Sequence, residues 1–505
     1  MARCWSGLCA GGLAVAALWS ATGAAPAARA DSPVSIGSLR VVRSRILDED
    51  RTVSVRLPAA YDDGALAYPV VYLLYGDQAE GYFAEAVVAL ERLAGGAEVP
   101  ECILVGIHNS DRYGDLLPVG RDGRPGGADR FIEFLQSELF PFVESSYRTK
   151  PYRLLVGPQA GGPFGLYTLI RRPSLFNAFV LENPLAPPQS RRLLADGLRE
   201  LAAGPDLNVS MVINSFDRQG FQDGSGATTA LAGLLEEIEA SGRSGLAIRR
   251  RQVDEPTFVP SLELTPALRA IFAGFRPPEG ETTTGLPGVL AHYREVSLRL
   301  GFDVDPPAFL LALTADELLR ARRADAAHEV LAYALSLRPC DVDAMARMGN
   351  LLLGEGEPAL AEPYFRALLE VHPDPFFARR LETVRRMLAG SAAYALSEAL
   401  KQGPDAGRAK VAELEGGGDP AVYFDERELN ALGYRLLGRG LAAEAVLVME
   451  VAARRFPGSW NAHDSLGEAY AAAGRSEDAA LSFEASLRIN PDNRNAAAML
   501  ERLRR

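Results

Sequence analysis

At 505 residues the chain is too long for one hydrophobic core, and a composition 48% hydrophobic and 23% charged excludes wholesale disorder. A net charge of −12 without any Lys- or Arg-rich run excludes a phosphate-backbone footprint, so nucleic acid is not an expected partner. Cys4 and Cys9 lie near the start and Cys102 and Cys340 far apart, which makes neither a disulfide framework nor a zinc site, and neither a metal nor another cofactor is expected.

The first thirty residues have the form of a secretory signal. Arg3 supplies the positive start, an apolar stretch runs from Gly11 to Trp19, and Ala28-Arg29-Ala30 offers a small-residue cleavage site before Asp31. The apolar stretch is shorter than the roughly 20 residues of a spanning helix. The expectation is an exported protein, periplasmic or extracellular, cleaved after Ala30 and without a membrane span once cleaved.

Residues 31–278 alternate between short β-rich runs and helical stretches. Val53–Leu57 alternates with period two, as a half-exposed strand does. Val70–Leu74, Ile103–Ile107, Arg153–Gly157, Ala178–Leu181 and Val209–Ile213 are continuous apolar runs, which suit strands covered by helices on both faces of a mostly parallel sheet. Between them Phe131, Phe134, Leu135, Leu139 and Phe142 recur at helical spacing and predict an amphipathic helix over 129–145. After the strand at 103–107, His108, Asp111 and Asp115 have no metal-specific spacing, so no metal is expected there.

The stretch 153–167, RLLVGPQAGGPFGLY, joins a buried strand, a Gly-x-x-x-Gly turn and a helix, the layout of a nucleophile elbow. Its glycines are Gly157 and Gly161, with Gly162 following, and the apex between them is Gln159. A working hydrolase needs Ser, or occasionally Cys or Asp, at the apex, since that side chain attacks a carbonyl. A carboxamide oxygen is a poor nucleophile and its nitrogen lone pair is delocalised.

These segments resemble the bacterial esterases of the α/β-hydrolase superfamily that include enterochelin esterase, feruloyl esterase and esterase D relatives. The resemblance runs through Tyr68–Leu74, Val105-Gly106-Ile107 with Asp111-Arg112, Gly126-Gly127-Ala128, Tyr147-Arg148-Thr149 and the elbow, where the family has His-Ser and this chain has Pro158 and Gln159. It implies an α/β-hydrolase fold with an oxyanion frame from the backbone of Ala160 and the Gly76–Asp77 turn. It also implies a base just ahead of Val259-Pro260, where Pro256 stands, or Thr257 with a shift of one. Asp217 is the implied acid, with Asp223 a rival. None of the five histidines, His108, His292, His328, His372 and His463, falls between 159 and 278, so nucleophile and base are both missing.

Residues 279–304 read as a linker with a helix, and 305–505 as all-helical. Leu432-Gly433, Gly440, Ala445 and Pro457 recur 34 residues later as Leu466-Gly467, Gly474, Ala479 and Pro491, with earlier copies around Gly349, Gly356, Ala361 and Pro373. That is the period of tetratricopeptide (TPR) repeats, with residues 375–424 off-register. The stretch from Glu428 to the end resembles the tail of one esterase subgroup. Two functions follow. The first is an esterase-like pseudoenzyme that binds protein or peptide through a TPR groove and, in the old cleft, a small ester, carboxylate or glycan. The alternative is an active serine-type ester hydrolase with relocated nucleophile and base.

Overall fold

The computed structural model describes residues 35–77, 81–109, 111–120, 122–182, 188–204, 207–216, 246–253, 261–278, 285–417 and 420–504. The signal segment, Asp217, Asp223, Pro256 and Thr257 lie outside the described residues. The chain forms two compact units, which divide between Asp341 and Val342.

Within the first unit, the described residues form an eight-stranded sheet: β1 (Ser38–Ser44), β2 (Glu49–Arg56), β3 (Tyr68–Leu74), β4 (Ile103–Ile107), β5 (Thr149–Gly157), β6 (Ala178–Glu182), β7 (Val209–Phe216) and β8 (Leu246–Val253), ordered β1-β2-β4-β3-β5-β6-β7-β8. β1 pairs antiparallel with β2, and β2 antiparallel with β4; every later pairing is parallel. The five continuous apolar runs and the alternating run at 53–57 are the central strands, and β3, β4 and β6 are buried along their whole length. That is the expected consequence of covering both faces.

Helices α1 (Tyr82–Gly95), α2 (Arg112–Leu116), α3 (Ala128–Phe134), α4 (Phe140–Ser146), α5 (Gly161–Arg171), α6 (Pro188–Ala203) and α7 (Ser261–Ile271) connect the strands. The helix expected over 129–145 is present, but α3 passes into α4 through one widened π turn, Leu135–Leu139. Pro141 sits in the first turn of α4; it has no N–H to continue the i→i−4 ladder and its ring crowds the preceding turn, which accounts for the widening. Tyr72, Phe140, Phe176 and Phe179 pack edge-on or tilted beside β3 and β6, each largely removed from water. Each such ring contributes about 1.5–3 kcal/mol of burial.

Three more helices complete this unit: α8 (Leu286–Leu300), α9 (Ala308–Arg320) and α10 (Ala324–Leu337). The end of α10 is fastened to the loop ahead of β3. Cys340 N–H donates to the Asp63 carbonyl at 3.2 Å, and the Leu337 carbonyl lies where a Cβ on Gly64 would be.

The second unit is entirely helical in its described residues: α11 (Val342–Gly354), α12 (Pro358–Val371), α13 (Pro375–Gly390), α14 (Ala392–Lys401), α15 (Pro404–Glu415), α16 (Glu426–Gly438), α17 (Ala442–Arg455), α18 (Trp460–Ala472), α19 (Ser476–Ile489) and α20 (Arg494–Leu503). Helices begin at 426, 460 and 494, one 34-residue period apart. In each hairpin a glycine of the first helix meets a bulky side chain of the second: Gly349 on Phe365, Gly433 on Met449, Gly467 on Phe483. The turns between them are made by Gly356, Gly440 and Gly474, all with φ near +75°. Off-register residues 375–424 hold α13 and the short pair α14–α15, clasped where Ala392 N–H donates to the Tyr423 carbonyl at 3.0 Å.

Candidate active site

The parallel strands point their C-terminal ends at one edge, and the elbow stands there. β5 ends at Gly157, Gln159 adopts the left-handed conformation with φ 53°, and α5 starts at Gly161. A Cβ on Gly157 would collide with the Gly161 carbonyl, and one on Gly161 would press 3.0 Å from the Leu74 side chain. Only glycine fits at 157, and a side chain at 161 would require Leu74 to shift; the turn is therefore tight, as the spacing implied. A non-glycine residue held at positive φ costs on the order of 1–2 kcal/mol, and such strain clusters where a site needs it.

The apex amide is engaged. Gln159 Nε2 donates to the Tyr82 hydroxyl at 3.0 Å, and Tyr82, at the start of α1, meets the Tyr75 ring edge-on with centroids 6.4 Å apart. Tyr75 is the second strained residue on this edge, with φ 61°, and its N–H donates to Asn109 Oδ1 at 3.2 Å. The space behind the elbow, lined by Leu73, Tyr82, Glu85, Val156, Pro158 and Glu182 among the described residues, amounts to about 10 Å³. That is room for about one water molecule.

The oxyanion frame is divided. Among the described residues, no acceptor pairs with the Ala160 N–H at the mouth of α5. The Gly76 N–H is already given to the Ile107 carbonyl at 2.9 Å, because Gly76 lies so close to Gly106 that a side chain would not fit between them. Within the turn, the Gly76 N–H is therefore committed to β4 and does not face an oxyanion.

Beside that turn lies a pair that the linear spacing did not bring together. Ser54 Oγ is 2.8 Å from His108 Nε2 and also reaches the Gly76 carbonyl at 3.3 Å. Ser54 is 4% exposed, on β2, two strands from β5 in the sheet order β2-β4-β3-β5. Burial lowers the His108 pKa, and the Asp77 carboxylate opposes that shift. The neighbouring acids face other partners. Asp115 binds Arg51 at 2.9 Å and has a raised pKa owing to burial, with the guanidinium acting the other way; Asp111 caps α2 by accepting from Gly114 N–H at 2.8 Å. His108, Asp111 and Asp115 hold loops. His292 Nε2 pairs with the Phe275 carbonyl and His463 Nε2 with that of Pro457.

Sequence reasoning had no means to find Tyr82, Asn109 or Ser54, since each meets the edge from a different strand or helix start. Their signal is three-dimensional: buried polar groups at strand ends.

Comparison with known proteins gives the same frame. The Esterase family model matches residues 44–212. The chain is 30% identical over 168 residues to ferri-bacillibactin esterase BesA of Bacillus subtilis (strain 168), a match spanning 29% of this chain and 57% of BesA, little more than half the relative's length. An IroE-like serine hydrolase from Shewanella oneidensis superposes with a TM-score of 0.51 at 25% identity, covering 59% of this chain and 99% of that one. Among the described residues, no helix is long and apolar enough to cross a membrane.

Proposed function

Because the N-terminal domain belongs to the esterase family of α/β-hydrolases, we propose that this chain is an exported esterase-like protein that binds rather than hydrolyses. The observation that supports this reading is Gln159 at the apex of an intact elbow, hydrogen-bonded to Tyr82 and without a nucleophilic atom. Transfer of an acyl group through the elbow requires a side chain that can form and release an ester or thioester. An amide does neither. The chain has no histidine between the elbow and residue 278 to serve as general base, an aid worth about 10²–10⁴ in rate.

In this reading the Ala160 N–H and the inherited cleft offer a carboxylate, a small ester or a glycan a weak site, and the helical unit supplies the main binding surface. Its 34-residue period and glycine-to-bulky contacts support a TPR array that takes a protein or peptide partner. The signal-like residues 1–30 support export.

The Ser54–His108 bond favours a second reading, an active hydrolase with a relocated pair. The burial of Ser54 and its bond to the Gly76 carbonyl weigh against it, since a nucleophile must come within about 3–3.5 Å of the carbonyl carbon it attacks. Turnover of p-nitrophenyl butyrate by the purified chain separates the two. The binding reading expects hydrolysis at the buffer rate. Turnover above that rate and abolished by Ser54→Ala would establish the second reading.

A further inference from the structure

At the end of the sheet opposite the elbow, the first unit encloses a cavity of about 300 Å³, within the size range of small-molecule sites. It lies against the first residues of β3 and β4 and the C-terminal half of α1, and residues 302–309 cover it. Leu90, Leu104 and Phe302 give it an apolar interior. Arg338, just beyond α10, lines it too, and the Cys340–Asp63 hydrogen bond and the close approach of Leu337 to Gly64 fasten that end of α10.

Charge narrows what it can hold. Each lining cation already has an acid partner: Arg56 with Glu91, Lys150 with Asp305 at 3.3 Å, and Arg338 with Glu101. Asp303 adds one more negative charge, so the lining does not attract an anion. Burial holds the Glu101 carboxyl above its usual range although Arg338 adjoins it, so a second carboxylate there would be resisted.

We propose that this cavity binds a neutral, largely apolar molecule, an aliphatic or aromatic chain of roughly ten non-hydrogen atoms. The size follows from about 30 Å³ per water-sized group. The site is independent of the elbow and does not depend on whether the elbow is catalytic.

The full-length chain is titrated with the neutral fluorophore 1-naphthylamine, which matches that size, and then with 2-decanone or decanoate as competitor. Saturable one-to-one binding is expected, with 2-decanone displacing the probe at a concentration at least tenfold below that of decanoate. Ala94→Phe and Ala308→Phe project rings into the cavity from two different elements, and each is expected to weaken probe binding at least tenfold with an unchanged circular dichroism spectrum. Should one variant misfold, the other decides. The proposal is overturned by non-saturable binding, by decanoate competing equally well, or by a folded cavity-filling variant that binds like wild type.

Discussion

Gln159 Nε2 and the Tyr82 hydroxyl stand 3.0 Å apart, so the residue at the apex of the elbow is tied to the first turn of α1. Gln159→Ser removes that tie and supplies a hydroxyl at the apex, but no base. Ester hydrolysis by this variant is expected to stay within threefold of the wild-type chain, measured with p-nitrophenyl butyrate at pH 7.5. A gain of a hundredfold or more would show that a general base does serve the apex.

Ser54 is a fastener of the oxyanion turn. Its hydroxyl joins His108 to the Gly76 carbonyl. Removing a buried group so placed leaves its partners unsatisfied, at a cost of about 1–3 kcal/mol. Ser54→Ala should lower stability by that amount in urea unfolding of the first unit, whereas Ser54→Cys, of similar shape, should lose less. Equal stability of Ser54→Ala and wild type would contradict this role.

His108 sets a pH dependence of defined sign. Burial lowers its native pKa and Asp77 only partly opposes the shift, so below the ordinary histidine value of about 6.5 the unfolded chain binds more protons than the folded one. The stability associated with neutral His108 is complete above that value and declines as the pH falls through it towards the lower native pKa. Melting temperatures between pH 7.5 and 5 should fall less steeply in His108→Gln than in wild type. Parallel slopes would show that other groups dominate.

Two matched glycines test the helical repeats. A Cβ on Gly467 would stand 2.7 Å from the Phe483 ring, which is fully buried and rigid; one on Gly433 would meet the Met449 methyl at 2.5 Å. Overpacking against a ring costs about 1–3 kcal/mol, while a thioether can rotate away. Gly467→Ala is therefore expected to destabilise the second unit more than Gly433→Ala in denaturant titrations.

The fold was readable wherever burial writes a pattern. Continuous apolar runs located five of the strands, period-two alternation located β2, and the 34-residue period located the helical hairpins. β1 and β8 escaped because edge strands need not be apolar: most of β1 is exposed and β8 carries Arg249-Arg250-Arg251. The elbow was legible because its glycines are dictated by close backbone approach. The rest of the edge was not. Nothing in the spacing of residues 54, 82 and 108 says that two of them would join at one turn and the third would hold the apex. Gly76 shows the same limit from the other side: its place in the turn was evident, but the loss of its N–H to Ile107 depends on how closely β3 and β4 approach.

With an amide at the apex, the elbow has no group for a serine-directed reagent to label. Wild-type protein incubated with a molar excess of a serine-directed fluorophosphonate and weighed by intact mass spectrometry is predicted to remain unmodified. A stoichiometric adduct, mapped by peptide sequencing to Ser54 or to any other serine of the first unit, would contradict the account.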